Sequence, residues 1–527
     1  MTKKTIVRLL WIVLPSLVLG GALSSLDAGT WWIGWLAYAL ILACGIAVLA
    51  ALWLWAGGGR TLGLMLFAAV LIRFGLGMAN SYVLPAYGYE NSRVNQAGYA
   101  FQDAYNRDVQ AWELAHRPVP VWMAFDQSYK GYDQYGGMLA LSTLVYRTLS
   151  PDLHRPWLII LLGALTAAVG VALVWKAVLP IGGRPTAVIA GWILALYPES
   201  VILGSSQMRE AYLITFVAML FWGIVEWQTS RRRRAWAWMA GSLAGMLLFS
   251  PGVAIVALIG LGGWAWLRSK DRRIPGRLIL IVLAVLVAAS ILLGIGLTRG
   301  GVAGSSPLTI LTKWLPATAQ WDAYILSHNS GWISRVFTEL PASLHIPFIT
   351  GYGLTQPLLP AAVFDPSVWP WKVLSILLSL GWYLLVPFLF AGLLAVWKQP
   401  EKSERSAWIW LWVVTWVWII ISSVRAGGDQ WDNPRYRVMI LLWQAILAAK
   451  AFLWWRETHN PWMARILAVE GIFLLFFGIW YSSRYGNWAT QPVHVFVILG
   501  AILAVGGLIL LGGWVRDLIR RRGAPRA

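Results

Sequence analysis

Residues 157–178 read WLIILLGALTAAVGVALVWKAV, a run of 22 positions in which Lys176 is the only charged residue. A helix that crosses the hydrocarbon core of a bilayer needs about 20 consecutive, mostly apolar residues. Similar runs recur along the chain, so the sequence predicts an all-α integral membrane protein with about fourteen spans, or twelve if the shortest runs do not cross. The expected spans are residues 6–24, 32–56, 61–82, 157–178, 185–199, 210–228, 235–250, 252–267, 277–297, 371–397, 407–424, 436–455, 463–481 and 493–515.

The composition agrees with this class. The chain has 527 residues, of which 59% are hydrophobic and 12% charged, whereas a soluble domain has about 25% charged residues. The first apolar run is longer than the core of a signal peptide and has no clear small-residue cleavage site, which indicates a first span. The single cysteine, Cys44, lies within an apolar run, so neither a disulfide framework nor a cysteine zinc site is expected.

The net charge of +20 does not indicate nucleic-acid binding, because the basic residues lie between the apolar runs. Lys and Arg are enriched in the cytoplasmic loops of membrane proteins. With the N-terminus inside, alternating spans place every strong basic cluster inside. This predicts cytoplasmic termini in a bacterial or archaeal-type plasma membrane. The clusters are RRRR at 231–234, RSKDRR at 268–273, KQPEKSER at 398–405 and RDLIRRRG at 516–523.

The same alternation leaves two large external loops, residues 83–156 and 298–370, within one polytopic domain of residues 1–527. Apolar side chains recur in residues 97–115 at steps of three or four, which predicts an amphipathic helix along the outer membrane surface. The first loop carries seven of the 22 acidic residues: Glu90, Asp103, Asp108, Glu113, Asp126, Asp133 and Asp152.

Asp103 is the first candidate for a catalytic residue. A carboxylate close to the membrane surface can take a proton from a hydroxyl beside a lipid-linked substrate. The competing interpretation is a surface ion pair between Asp103 and Arg107, four positions apart on a helix. Asp108 is the second candidate. Its spacing of five residues from Asp103 places it about 140° round a helix, so the two carboxylates should not face one reacting atom.

Two further polar stretches lie at expected external boundaries. ALYPESVILGSSQMREAY at 195–212 carries Glu199 and Arg209 between two spans, and both are candidates for substrate binding. GYDQYGG at 131–137 carries Tyr132 and Asp133, which could contact a sugar. The glycines of the second stretch could equally form a turn before a short helix at 138–149.

Three arginines lie on the face where topology does not require them, namely Arg425, Arg435 and Arg437 within RAGGDQWDNPRYR at 425–437. Forked guanidinium groups suit a phosphate or pyrophosphate. Alternatively, these arginines anchor the chain to lipid headgroups. Pro434 favours a chain break at Asn433, after which a new span would begin.

The acidic first loop, the LYPES…REAY junction and the NPRYR start of a late span resemble the C-type superfamily of polytopic membrane glycosyltransferases. The resemblance implies an enzyme of the cell envelope that transfers a sugar from a polyprenyl-phosphate donor to a glycan, lipid or protein acceptor. It assigns the base to Asp103, with Asp108 second, and places Arg435, Tyr436 and Arg437 near the donor phosphate or the acceptor. Many members have adjacent paired acids, but Asp103 lies between Gln102 and Ala104. No cofactor is expected, and a divalent metal is left open without being indicated.

Two other classes compete with this reading. A polysaccharide polymerase or O-antigen-ligase-like enzyme would use external arginines on lipid-linked glycans without an acidic base. A lipid or glycan transporter would place ionisable groups near the middle of the bilayer and often shows paired repeats. The charges here cluster at span ends and no repeat is visible, which disfavours transport. Binding to membrane lipids is expected, and binding to nucleic acid is not.

Overall fold

The computed structural model describes residues 3–269, 283–289, 291–292, 331–486 and 493–523. Helices and turns make up this described part, in which no strand occurs. Most of the expected span 277–297 and residues 298–330 of the second expected loop lie outside it. The structure divides into two compact units, Met1–Lys313 with Val438–Ala445 and Trp314–Arg437 with Ile446–Ala527. The single polytopic domain of residues 1–527 stays a prediction.

The chain folds into helices that follow one another closely. Up to residue 268 they are α1 (Lys3–Ser24), α2 (Trp31–Trp55), α3 (Arg60–Tyr87), α4 (Arg93–Gln96), α5 (Gln102–Ala115), α6 (Gly137–Leu149), α7 (Pro156–Leu196), α8 (Pro198–Gly204), α9 (Glu210–Ser230), α10 (Arg234–Phe249) and α11 (Pro251–Arg268). From residue 331 they are α12 (Gly331–Glu339), α13 (His345–Thr355), α14 (Leu359–Phe364), α15 (Trp369–Trp397), α16 (Lys402–Ala426), α17 (Asp432–Arg437), α18 (Leu441–Thr458), α19 (Pro461–Tyr485) and α20 (Val495–Gly523).

Ten helical stretches in the described residues are long and apolar enough to cross a membrane, as expected of a multi-pass membrane protein. They are α2, α3, α7, α9, α11, α15, α16, the stretch Asp432–Thr458, α19 and α20. The expected span 6–24 corresponds to a shorter apolar helix, Leu10–Ser24, and the expected span 235–250 corresponds to the 16-residue α10. Hydropathy therefore located the helices well, because a long apolar run has no stable place in water.

The long helix α7 is two antiparallel pieces. Gly183 has φ 72° and ψ 174°, a conformation open essentially to glycine alone, and it interrupts the helix just before Pro185. A Cβ placed on Gly191 would lie 3.9 Å from the Trp175 ring, although 16 residues of straight helix would separate the two by about 24 Å. The chain therefore reverses at Gly183, as the separate expected spans 157–178 and 185–199 require.

One end of the first unit is held together by Arg155, whose side chain is fully buried. Its guanidinium donates to both carboxylate oxygens of Asp152, at 2.6 and 3.0 Å, and its Nε lies 3.2 Å from Asp27. The Asp152 carboxylate also accepts from the Thr30 amide at 2.8 Å. These contacts fix the turn between α1 and α2 to the segment that precedes α7, so the two connections lie at the same end.

Basic residues gather at the opposite end of the first unit. Lys176 donates to the Trp55 carbonyl at 2.9 Å, Arg268 donates to Gln228 at 3.3 Å, and Arg234 pairs with Glu226 at 2.5 Å. The RRRR cluster follows α9 directly at this end. The connections of the first unit thus alternate between an end rich in acids and a basic end, in the order that the expected spans give.

The second unit packs through small residues and aromatic rings. A core cluster joins α15, α18 and α19 through Ala391, Ala395, Ala451, Trp454 and Met463. Arg465 on α19 donates to both carboxylate oxygens of Asp517 on α20, at 2.6 and 2.9 Å. This bidentate pair joins the last two helices near the basic C-terminal end of the chain.

We expect Asp152→Asn to lower the stability of the folded protein by about 1.5–3 kcal/mol, the usual worth of a hydrogen bond to a charged group. Hydrogen bonds from Arg155 hold the pKa of the Asp152 carboxyl well below its usual range. This contribution is therefore complete above the unfolded value of about 3.9 and is lost as the pH falls. The Tm difference from wild type should be smaller at pH 3 than at pH 7.

The matched control is Glu113→Gln, because Glu113 is exposed, its Arg117 partner lies 4.0 Å away and the hydrogen bond that it accepts from Gln110, at 2.8 Å, lies at the surface. Thermal unfolding in detergent should show almost no change for this variant at either pH. Equal Tm values for Asp152→Asn and Glu113→Gln would contradict the role given to the Arg155 cluster.

Candidate active site

The predicted amphipathic helix is α5, and it begins at Gln102 rather than at residue 97. Gly98 has φ 81°, and a Cβ there would lie 2.8 Å from the Ser81 Cα, so the chain turns tightly against α3 before the helix starts. Asp103 lies in the first turn and is exposed, whereas Asp108 is 1% exposed. The two candidate bases therefore point to different surroundings on one unbroken helix, as their spacing predicts.

Asp108 is the centre of a buried hydrogen-bond cluster. Its Oδ2 accepts from the Tyr99 hydroxyl at 2.5 Å and contacts His154 Nε2 at 2.7 Å, while its Oδ1 accepts from the Tyr146 hydroxyl at 2.5 Å. Burial and the neighbouring Asp108 charge raise the pKa of both phenols well above the usual value, so the tyrosines keep their protons and remain donors. Asp108 is thus engaged by three partners inside the fold.

His154 completes this cluster from the loop before α7. Its ring stacks on Trp112 at 5.3 Å and packs edge-on against Tyr146 at 5.0 Å. Its side chain is 25% exposed, so the imidazole lies between the buried carboxylate and the surface. The cluster joins residue 99, α5, α6 and residue 154, and it fixes the orientation of α5.

Arg107 joins three polar stretches that are far apart in the sequence. It is 4% exposed, its Nη1 donates to the Gln207 carbonyl at 3.2 Å, and its Nε lies 4.0 Å from an Asp133 oxygen. The other Asp133 oxygen accepts from the Leu139 amide at 2.9 Å, near the start of α6. Arg107 is therefore an interior residue. Tyr132, beside Asp133, is exposed.

The LYPES…REAY junction is shaped by a buried arginine of α3. Arg73 donates to the carbonyls of Ala195 at 2.8 Å and Leu194 at 2.9 Å, and to the Ser200 hydroxyl at 2.9 Å. These carbonyls are at the C-terminus of α7, where they have no partner within the helix. The arginine ends α7 at Leu196 and holds α8 against α3, and it places Glu199 in the interior at 2% exposure.

Arg209 follows this junction and is partly exposed. Its guanidinium lies 5.5 Å from the Tyr135 ring centre, and its Nη1 is 3.4 Å from the Phe249 carbonyl. Among the described residues, no carboxylate lies within ion-pair distance of it. A partly exposed guanidinium held by an aromatic ring and one weak hydrogen bond is suited to an anionic ligand.

In the second unit, the three arginines at 425–437 have different surroundings. Arg437 is 1% exposed, lies 3.6 Å from the Trp382 ring centre and donates to the Gln356 carbonyl at 2.5 Å. Arg435, 7% exposed, lies 3.5 Å from an Asp432 oxygen. Arg425 is partly exposed and lies 3.9 Å from the ring centre of Tyr436. Packing on aromatic rings thus accounts for much of the placement of Arg437 and Arg425.

The expected chain break at Asn433 is wrong, because α17 already begins at Asp432. Pro434 is the third residue of this helix, where its missing N–H costs no intrahelical hydrogen bond. The Asn433 amide group donates to the Gly353 carbonyl at 2.7 Å and to the Gly427 carbonyl at 3.1 Å. These tertiary bonds hold Asn433 in a helical conformation that the following proline disfavours locally.

Sequence reasoning did not assign a role to several residues of these clusters. Periodicity gave no signal for them, because their partners are remote in sequence and their neighbours are ordinary span ends. A lone histidine or tyrosine beside a span becomes informative only when its contacts are known. The residues are Asp27, Arg73, Tyr99, Tyr146, His154, Arg155 and Gln207.

Comparison of the chain with protein-family models and with curated proteins found no match. In the part of the chain that the structure describes, no group of three or more His, Cys, Asp or Glu side chains could hold a metal ion.

We expect Asp108→Asn to destabilise the fold by about 3 kcal/mol or more, because at least two hydrogen bonds to a charged group weaken and the new amide faces hydroxyl donors. Tyr146→Phe removes one bond and should cost about 1.5–3 kcal/mol. Thermal unfolding in detergent would measure both changes. Asp103→Asn, at an exposed position of the same helix, is the control and should be nearly neutral. Equal losses at positions 103 and 108 would contradict the structural role of Asp108.

Proposed function

We propose that this protein is an inverting membrane glycosyltransferase that uses a polyprenyl-phosphate sugar donor, with Asp103 as the general base. The Asp103 carboxylate takes the proton of an acceptor hydroxyl as the acceptor oxygen bonds to the anomeric carbon. The bond between that carbon and the phosphate oxygen breaks on the opposite face, and its electron pair leaves with the lipid phosphate. The acceptor is a glycan, a lipid or a protein.

The observation that carries the proposal is the meeting of three polar stretches at Arg107. Its contacts with Asp133 and with the Gln207 carbonyl bring α5, the GYDQYGG stretch and the junction before α9 together within the first unit. Each of these stretches was a candidate from the sequence alone. The buried Asp108 cluster then fixes the helix that carries the exposed Asp103. A general base needs such a rigid support, since small displacements of a reacting group are costly.

Arg209 is the residue of the first unit that we assign to the donor phosphate. It lies two residues beyond Gln207, and its guanidinium can form two parallel hydrogen bonds with a phosphate. In the second unit, considered by itself, we assign an anion-binding role to Arg425 and Arg435, of which Arg425 is partly exposed. Arg437 supports this region through Trp382 and Tyr436 lies under Arg425, so we treat both as positioning residues.

The proposed topology has about fourteen spans, with the acid-rich end of the first unit outside the cell and both termini in the cytoplasm. Ten apolar helices, the reversal of α7 at Gly183, the shorter apolar helix Leu10–Ser24 and the 16-residue α10 support thirteen of these spans, and most of the expected span 277–297 lies outside the described residues. The basic end with Arg231–Arg234 would face the cytoplasm, where Lys and Arg are retained.

We expect Asp103→Asn to lower the rate of sugar transfer by at least 100-fold, because a general base contributes about 10²–10⁴-fold. Folding and donor binding should be unchanged, since the substitution preserves the shape of an exposed side chain. The assay is transfer of a radiolabelled sugar from total polyprenyl-linked donors in membranes. Glu113→Gln, at an exposed position of the same helix, is the matched control and should retain wild-type activity.

Retention of most activity by Asp103→Asn would contradict the assignment of the base. If transfer then depends on Arg425 or Arg435 instead, the protein belongs to the polymerase or ligase class, which uses arginines without an acidic base. Loss of activity in Glu113→Gln would show that substitutions on this helix inactivate the protein in general. The loss in Asp103→Asn would then not identify Asp103 as the base.

The orientation is tested with single cysteines introduced into a Cys44→Ser background. Ser128 and Arg232 are both exposed in the first unit. We expect a membrane-impermeant maleimide to label Ser128→Cys in intact cells and to label Arg232→Cys only after permeabilisation. The reverse pattern would place the acid-rich end in the cytoplasm and would contradict the proposed reaction on the external face.

A further inference from the structure

A cavity of about 270 Å³ lies at the acid-rich end of the first unit, apart from the exposed surface of Asp103. Five segments line it: the α1–α2 turn, residues 77–82 of α3, residues 97–100, the start of α7 and residues 205–207. Pockets for drug-sized ligands measure about 300–1,000 Å³. The cavity is therefore sized for one small ring.

Close backbone approach builds the walls of this cavity. Gly98 turns with φ 81°, and a Cβ there would lie 2.8 Å from the Ser81 Cα. A Cβ on Gly77 would lie 2.7 Å from the Ser205 carbonyl oxygen. Any side chain at either position would push the enclosing segments apart, so the shape of the cavity depends on these two glycines.

Two buried amide side chains that line the cavity have unsatisfied polar atoms. Asn80 is 7% exposed and Gln207 is 2% exposed. Neither Nδ2 of Asn80 nor Oε1 of Gln207 has a hydrogen-bond partner of normal geometry among the described residues, although the Gln207 amide group also interacts with the Tyr99 and Tyr146 hydroxyls. Buried polar groups are normally satisfied, and an exception calls for an explanation. One atom is a donor and the other an acceptor, and a hydroxyl group can serve both.

The charge of the lining argues against a phosphate. Asp27 is the single acidic or basic side chain among the described lining residues. Arg155 at 3.2 Å and the Tyr38 hydroxyl at 2.9 Å already hold its carboxylate. The other polar side chains of the lining are neutral, among them Asn80, Ser81 and Gln207. An anionic headgroup would meet no cation here, whereas a neutral ring with several hydroxyls would meet both donors and acceptors.

Aromatic side chains complete the lining. Tyr82 and Trp157 both face the cavity and pack edge-on against each other at 5.8 Å. Trp157 Nε1 donates to the Ser81 hydroxyl at 3.1 Å, which fixes the indole. Aromatic surfaces beside amides and a carboxylate suit the apolar faces and the hydroxyls of a sugar. We propose that this cavity binds one neutral sugar ring through Asn80 and Gln207.

The proposal concerns binding and does not depend on Asp103 as a base. It is tested with purified full-length protein in amphipol, which avoids sugar-based detergents. The probes are the methyl glycosides of glucose, galactose, mannose, N-acetylglucosamine and arabinose, and the measurement is saturation-transfer NMR. We expect at least one glycoside to receive saturation from the wild-type protein.

Two variants and one control locate the binding. Ala28 lines the cavity and is exposed, so Ala28→Trp should fill the mouth without disturbing the fold. Asn80→Leu removes the unsatisfied amide at similar volume. Both should weaken glycoside binding at least tenfold, while Asn80→Leu leaves Tm unchanged or raises it. Thr143→Val, which removes a buried unsatisfied hydroxyl outside the cavity, is the matched control and should bind like wild type.

Three results would overturn the proposal. One is the absence of saturation transfer to every glycoside. Another is binding that persists in Ala28→Trp, which would place the sugar elsewhere on the protein. The third is a co-purifying phospholipid, detected by native mass spectrometry, that is lost in Ala28→Trp while no glycoside binds. Failure of transfer in Asp103→Asn has no bearing on these measurements, so the two proposals fail separately.

Discussion

The Asp108 carboxylate lies inside the first unit and accepts hydrogen bonds from the side chains of Tyr99 and Tyr146 and contacts His154. A carboxylate removed from water without such partners would cost several kcal/mol. The residues that satisfy it come from three segments besides α5, so these segments have to meet at one point. The hydrogen bonds to the buried Asp108 carboxylate therefore hold the polar segment between α3 and α7 in place as much as the burial of apolar side chains does. Exposed groups such as Asp103 are placed by this buried framework.

Two buried arginines stabilise the acid-rich end of the first unit in different ways. Arg155 pairs with both Asp152 and Asp27 and so joins two loops. Arg73 instead satisfies the carbonyls at the C-terminus of α7, where the helix dipole is negative. An ionisable residue within a span is usually a marker of function. The hydrogen bonds of Arg73 show a structural role, since they end α7 and hold α8 in place.

In the second unit, some arginines are not explained by the enrichment of Lys and Arg in cytoplasmic loops. These arginines contact other residues of the fold. Arg437 lies on Trp382, and Arg425 lies on Tyr436. A guanidinium group is more weakly hydrated than an ammonium and stacks well on aromatic rings. A tryptophan-rich helical protein can therefore retain arginines at such positions without a ligand. The anion-binding role that we propose concerns Arg425 and Arg435, and Arg437 supports them from the interior.

Unsatisfied groups distinguish the cavity beside α3 from the Asp108 cluster. Asn80 and Gln207 leave one donor and one acceptor without a partner in the described structure, whereas the oxygens of Asp108 are engaged by three groups. The Asp108 cluster has a structural role, because a ligand would have to replace its existing hydrogen bonds. The cavity has unsatisfied amide groups, which can form new hydrogen bonds with a ligand.

The sequence by itself determined the class of protein and the positions of its helices, because an apolar run of sufficient length is a local property that no distant contact can hide. It also separated Asp103 from Asp108, since helical spacing fixes the angle between them. It could not say that Asp108 and Arg107 are interior residues, or that Asn433 is helical despite Pro434. Those outcomes depend on Tyr146, Gln207 and Gly353, which are 38, 100 and 80 positions away in the chain. Only the tertiary structure pairs such residues, because the cost of burying a polar group is decided by the partner that the fold brings to it.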